Sequence, residues 1–130
     1  FATKIWNASR FVAEATAGNP KSQTPNPKLL DHAETDFFKK LDKLEQKNEK
    51  NFAALKLSVA LEELYEFFWH DFADQFLEYE KTAIREAENP ERVEQAKSCL
   101  LVALKRQLVI LSDFAPFLVD TIEHQMLDES

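Results

Sequence analysis

The chain has 130 residues, of which 45% are hydrophobic and 30% charged, and its formal net charge is −7. That length predicts one domain with a core large enough to fold without disulfides or metal, and that composition excludes a disordered chain. Gly18 is the only glycine, which argues against a sheet with many tight turns, so we expect an all-α fold.

Hydrophobic periodicity and helix-breaking residues divide the chain into helical segments. Five helices are predicted, at about residues 1–17, 31–48, 51–87, 90–111 and 117–126. Asp31 and Asn89 are expected to cap the second and fourth helices, and Pro90 takes the first helical position of the fourth. The pattern therefore predicts a single domain, residues 1–130, built as a bundle of about five helices.

The third helix is rich in aromatic residues, with six between residues 64 and 78. With regular α-helical spacing, most of them fall on one apolar arc. We expect Phe68, Phe72 and Phe76 to be core residues, with Tyr65 and Trp69 at the border of the arc and able to present an edge to a ligand. Phe67 is predicted to stand outside the arc, among carboxylates.

An acidic stripe runs along the other side of this helix; its members are Glu62, Glu66, His70, Asp74 and Glu78. A di-iron bundle would need inward-facing Glu-x-x-His pairs on two helices, and the sequence lacks them. We therefore interpret the stripe as a solvated or partner-facing surface and predict no metal site. With no glycine-rich phosphate loop and no nucleophile elbow, the chain is also predicted to be non-catalytic and to bind no cofactor.

The single cysteine, Cys99, lies in an apolar run and is expected to be a reduced core thiol of a cytoplasmic protein. That run is broken by Lys105 and Arg106, so no membrane span is predicted. The amphipathic pattern already under way at residue 1 suggests a fragment of a longer chain.

Charge is distributed unevenly along the sequence. Residues 1–56 hold 10 Lys and Arg against 7 Asp and Glu, whereas residues 57–130 hold 6 against 16. If the domain contacts a polyanion, the first two helices are the expected side. In the first helix, Arg10 can stack on a base or bind phosphate oxygens, and Asn7 can pair with a base edge, although such residues are more often simply solvated.

Three segments occur in order along the chain: KIWNASRF at 4–11, ALEELYEFFWHDFADQFLEYEK at 60–81 and LSDFAPFLVDTIEHQM at 111–126. Together they resemble the helical anticodon-binding domain of class I aminoacyl-tRNA synthetases, most of all the valyl-tRNA synthetase family. The sequence departs from that family's pattern at Ala73, where cysteine is usual, and at Ser112 and Asp113, where His-Pro is usual.

The resemblance implies a tRNA anticodon-binding module, with the ATP-dependent attachment of the amino acid located elsewhere in the parent enzyme. The implied partners are the anticodon stem-loop and the catalytic body of that synthetase. The implied tRNA-binding residues are Arg10, Asn7, Lys21 and Lys28.

Alternatives to this interpretation remain open. The same domain could come from an isoleucyl- or leucyl-type synthetase. A second alternative is a non-catalytic protein–protein interaction module that docks a partner on its Phe67 face. A small-molecule-binding bundle is the least favoured interpretation.

Overall fold

The computed structural model of the protein describes residues 2–15 and 27–125. Its elements are α1 (Ala2–Ala15), a 3₁₀ turn (Pro27–Leu29), α2 (His32–Ala53), α3 (Leu57–Glu66), a π-helix (Phe67–Phe76), α4 (Leu77–Glu86), α5 (Pro90–Leu111) and α6 (Pro116–Gln125). Because α3, the π-helix and α4 follow one another without a break, we call them together the long helix (residues 57–86). The described residues contain no β-strand, and the predicted all-α bundle of about five helices is confirmed.

Two helices begin where local side-chain chemistry predicts. At the start of α2, the backbone N–H of Glu34 donates to Asp31 Oδ1 at 2.8 Å, and the backbone N–H of Asp31 donates to Glu34 Oε1 at 3.1 Å. This reciprocal pair is a capping box. At the start of α5, the backbone N–H of Arg92 donates to Asn89 Oδ1 at 2.8 Å, and Pro90 follows the cap. Both predicted caps are confirmed.

The end of α2 differs from the prediction. The helix was expected to stop near residue 48, but it continues for more than one further turn. It closes with two backbone bonds, from Lys56 N–H to the Asn51 carbonyl at 2.7 Å and from Leu55 N–H to the Phe52 carbonyl at 3.0 Å, which together form a Schellman motif. Leu55 has a φ of 60°. Glycine is usual at this position, so the sequence carries no signal for the turn, and leucine there costs about 1 kcal/mol.

The middle of the long helix is a π-helix, and this geometry changes the position of Phe67. Each N–H of a π-helix bonds the carbonyl five residues earlier, as Leu77 N–H does to Phe72. Residues five apart therefore share a face, and Phe67, Phe72 and Leu77 are only 6%, 0% and 7% exposed. The prediction that Phe67 stands among carboxylates at the surface is wrong, because it assumed regular α-helical spacing along the whole helix.

Aromatic rings form the interior contact between α2 and the long helix. Phe37 of α2 stacks on Phe76 with 3.9 Å between the ring centroids. Phe72 and Phe68 lie about one and two turns earlier in the long helix, and their ring centroids are 5.3 Å apart. All four rings are buried, so the predicted core role of Phe68, Phe72 and Phe76 is confirmed.

The central helix of the bundle is α5. It packs against α1, α2, α3, α4 and α6, and its side chains are buried on nearly every side. Cys99 lies in this helix as a buried free thiol, as predicted. At the outer side, Arg106 binds Asp42 and Glu45 of α2, with 3.0 Å between its Nε and Glu45 Oε2. Among residues 2–15 and 27–125, no helix has both the length and the apolar character needed to cross a membrane.

Candidate nucleic-acid interface

The first helix turns an apolar stripe toward the bundle and a polar face outward. Ile5, Ala8 and Val12 recur at helical spacing and are buried, and α1 packs against α5, α6 and the π-helix. Asn7 and Arg10, three residues apart, lie together on the opposite, exposed side. We call this pair the α1 face. The structure thus brings two of the four predicted tRNA-binding residues onto one accessible surface.

The Arg10 guanidinium is open to a ligand. Its side chain is 63% exposed, and its Nε lies 3.7 Å from Oε1 of the equally exposed Glu14, one turn further on. An exposed pair at this spacing contributes only about 0.3–0.5 kcal/mol, so phosphate oxygens can replace the carboxylate at small cost. The exposed Asn7 amide makes no hydrogen bond to any residue that the structure describes.

Two cation–π contacts hold α1 on the long helix. Lys4 Nζ lies 3.6 Å from the centroid of the Trp69 ring, and Lys81 Nζ lies 4.5 Å from that of Phe11. Trp69 also packs against Tyr65, with 5.4 Å between centroids. Trp69 therefore positions α1 and has Lys4 over its ring, and the expectation that Tyr65 and Trp69 can present an edge to a ligand stays a prediction.

The two predicted lysines lie apart from α1 in sequence. Lys28 is exposed and belongs to the 3₁₀ turn that precedes α2. Lys21 lies outside the described residues. Their assignment to tRNA binding, like that of Asn7 and Arg10, stays a prediction.

One exposed aromatic residue was not singled out from the sequence. Phe117 is 87% exposed in the first turn of α6, a helix that packs against α1. Its neighbour Phe114 instead turns inward and meets Phe52, with ring centroids 5.9 Å apart. An aromatic ring as exposed as that of Phe117 can stack on an unpaired base. The two phenylalanines flanking Pro116 were the available signal, but periodicity does not tell which of them faces solvent.

The bundle also holds a buried charged cluster that joins three helices. Glu34 of α2 and Glu80 of α4 are fully buried, and Arg92 of α5 binds both, with 3.2 Å from Nη1 to Glu34 Oε2 and 3.4 Å from Nη2 to Glu80 Oε1. Asp31 accepts hydrogen bonds from Arg92 and from the Tyr79 hydroxyl. We call Glu34, Glu80 and Arg92 the buried ion cluster.

One carboxyl group of the buried ion cluster holds a proton. Burial raises the pKa of Glu80 to about 10, and hydrogen bonding and charge repulsion from Glu34 add to the rise. At pH 7 Glu80 therefore carries a proton, and this neutral carboxyl group shares the Arg92 guanidinium with Glu34. The proton gives the otherwise unpartnered Oε2 of Glu80 a hydrogen to donate.

A cysteine completes this interior site without making it reactive. One ligand atom each of Glu34, Glu80 and Cys99 lie within 4.8 Å of one another. Burial raises the pKa of the Cys99 thiol, whereas a nucleophile or a metal ligand needs the thiolate. A cation would also meet the Arg92 guanidinium, which already binds both carboxyl groups. We therefore assign the cluster a structural role, which is to fix α2, α4 and α5 to one another.

The acidic stripe of the long helix is exposed, as predicted. His70 lies between two carboxylates, 3.3 Å from Glu66 and 3.6 Å from Asp74, and all three side chains are more than half exposed. These side chains project away from the aromatic core and pair with each other along one helix face. Their exposure agrees with a solvated or partner-facing surface.

The fold and the α1 face define a helical bundle domain with a candidate contact surface for a polyanion. Residues 34–130 match the family described as the anticodon-binding domain of tRNA ligase. Because this match covers most of the chain, the protein belongs to that family. The resemblance read from the three sequence segments is confirmed.

Similar proteins include several valine–tRNA ligases. The chain is 31% identical to that of Acinetobacter baylyi over 123 residues, 32% to that of Stenotrophomonas maltophilia strain K279a over 126, and 28% to that of Treponema denticola over 125. These alignments cover 94%, 97% and 94% of the chain but only 13%, 13% and 14% of the respective relatives. The chain thus spans about an eighth of the length of the proteins that it resembles.

Proposed function

We propose that the chain is the anticodon-recognition module of a valine–tRNA ligase. The observation that carries the proposal is the family match over residues 34–130, together with valine–tRNA ligase relatives that align with more than nine-tenths of the chain. In the full enzyme, a separate catalytic body attaches valine to its tRNA with ATP, and this module needs no cofactor of its own. The corresponding location is the cytoplasm.

The module binds the anticodon stem-loop through the α1 face. Arg10 binds a backbone phosphate or stacks on a base, and Asn7 pairs with a base edge, because both side chains are exposed on one side of a helix that the bundle holds rigidly. Phe117 provides a ring on which an unpaired anticodon base can stack. Lys21 and Lys28 add phosphate contacts.

Arg10→Ala is expected to weaken binding of a valine-type anticodon stem-loop about tenfold at low salt, because one charge-assisted contact is lost. If the contact is to a phosphate, the slope of log K against log salt concentration falls by about 0.7–0.9. Fluorescence titration of the stem-loop at several salt concentrations measures both quantities. Asn7→Ala should lower the affinity without changing this slope.

The matched control is Lys50→Ala, which removes one exposed positive charge from the last turn of α2. It should leave the titration within about twofold of the unmodified chain. Equal binding by the unmodified chain and all four variants at Asn7, Arg10, Lys21 and Lys28 would remove this site assignment. Stronger binding to an isoleucine- or leucine-type stem-loop would instead reassign the tRNA while keeping the site.

A further inference from the structure

A second surface runs along the seam between α2 and the long helix. Two depressions of about 240 and 790 Å³ lie side by side there, and both have Lys40 and Asp71 in their walls. The lining extends from Val59 to Tyr79 of the long helix, a distance of roughly 25–30 Å, since the rise is 1.5 Å per residue in an α-helix and smaller in the π-helical part. We call this surface, bounded by α2 and residues 59–79, the seam groove.

The floor of the seam groove is apolar. Phe37 and Phe76 lie beneath the smaller depression, and Leu44 and Phe67 lie beneath the larger one. Val59 at the open end is 42% exposed. Phe67, which the sequence suggested as an exposed docking ring, thus contributes to this floor from a nearly buried position.

Apart from Asp36, the charged residues of the α2 wall are basic. Lys40, Lys43 and Lys47 follow one another at spacings of three and four, so they form one row along the groove. Lys40 pairs with Asp36 on its own helix at 3.4 Å. Lys43 and Lys47 are exposed and make no ion pair with any described residue.

The opposite wall, on the long helix, is acidic. Its carboxylates are Glu62, Glu63, Glu66 and Asp71. The contacts of these carboxylates stay on the long helix or reach the end of α2. Glu66 pairs with His70, and the Asn51 side-chain amide donates to Glu63 Oε2 at 3.4 Å. In the described structure, no lysine of the α2 wall pairs with these carboxylates, so two rows of opposite charge face each other across an apolar floor without neutralising each other.

We propose that the seam groove binds an amphipathic α-helix of a protein partner. A helix laid between two antiparallel helices places an apolar ridge on the floor and a polar edge against each wall. The walls specify its charges: acidic side chains along the edge that faces α2, and basic side chains along the edge that faces the long helix. An RNA backbone fits poorly, because the carboxylates between Glu62 and Asp71 repel phosphates along that part of the groove.

A synthetic helical peptide of about 20 residues tests the proposal, since this length spans about 30 Å. It carries a leucine ridge, one glutamate edge and one arginine edge, and its control has the same composition with the two edges exchanged about the ridge. Isothermal titration calorimetry with the 130-residue chain should show the matched peptide binding at least about tenfold more tightly than the exchanged one. No binding of the matched peptide at about 100 μM, or equal binding of both peptides, overturns the proposal.

Charge reversal in the groove provides the second arm. Lys43→Glu combined with Lys47→Glu should weaken binding of the matched peptide about tenfold or more, and Glu62→Lys on the other wall should weaken it independently. Lys39→Glu combined with Lys50→Glu changes the net charge equally on α2 outside the groove and should have little effect. If the reversal at Lys43 and Lys47 instead weakens binding of the anticodon stem-loop and does not change peptide binding, the seam groove binds RNA and the proposal fails. Because the peptide titration contains no RNA, its failure leaves the proposed anticodon function untouched.

Discussion

Arg92→Met is expected to lower the free energy of unfolding at pH 7 by about 3–5 kcal/mol, the largest effect that we predict. Arg92 binds Glu34 and Glu80, whose side chains are fully buried. Methionine fills much of the same volume but removes the positively charged partner of the buried Glu34 side chain. Urea unfolding followed by far-ultraviolet circular dichroism measures the loss.

The matched control for Arg92 is Arg85→Met, because Arg85 is exposed on α4 and makes no ion pair among the described residues. This change should alter the free energy of unfolding by no more than about 0.5 kcal/mol. If both variants lose similar amounts, or Arg92→Met loses less than about 1 kcal/mol, the buried ion cluster does not stabilise the bundle as described.

Glu80→Gln is expected to remove a pH dependence of stability that the unmodified chain shows between about pH 5 and pH 8. The pKa of Glu80 rises from its ordinary value of 4.5 to about 10 in the folded state, chiefly through burial. A raised pKa means that the folded state keeps a proton that the unfolded state releases. The contribution of the Glu80 proton to the free energy of unfolding is therefore fully present below about pH 4.5 and is lost as the pH rises toward 10.

The expected size of this effect is about 2–4 kcal/mol between pH 5 and pH 8, since each pH unit corresponds to at most about 1.4 kcal/mol. Glutamine reproduces the neutral acid and cannot ionise, so its stability should change much less over the same range. Urea unfolding at both pH values measures the difference, with the exposed Glu86→Gln on the same helix as the control. Parallel pH dependence in the unmodified chain and Glu80→Gln would show that Glu80 does not hold a proton in the fold.

The helices were predictable where their signals are local. Asp31 and Asn89 cap their helices through backbone groups three residues away, so sequence spacing suffices to predict both. The sequence predicts the end of α2 too early, because Leu55 adopts the left-handed conformation that ends the helix. Glycine, which usually marks such a position, is absent there. The burial of Phe67 is not predicted from the sequence, because a single α-helical period was assumed along the helix. The change to π-helical spacing at Phe67–Phe76 has no signature in the hydrophobic pattern.

The candidate site was predictable only in part. Arg10 and Asn7 emerged from helical spacing and from the family resemblance, and the structure leaves both exposed. The buried ion cluster could not be predicted, since Arg92 and Glu34 are 58 positions apart and nothing local pairs them. The seam groove likewise depends on how two separate helices pack, so its facing rows of charge appear only in the folded bundle.

In the proposed interface, the α1 face and the exposed ring of Phe117 read the anticodon while the rest of the bundle holds them in place. Both lie on helices that pack against each other, and Lys4 and Trp69 fix α1 to the long helix. The acidic stripe and the seam groove lie on other surfaces and carry carboxylates that repel RNA. Binding should therefore be localised, even though the chain as a whole is acidic.

Amide chemical-shift mapping of the 130-residue chain during titration with a valine-type anticodon stem-loop can locate this interface residue by residue. We expect the largest shifts around Asn7 and Arg10 and at the start of α6 near Phe117, with small shifts along the acidic stripe. Shifts that concentrate in the seam groove, or that spread evenly and do not depend on the anticodon bases, would contradict it.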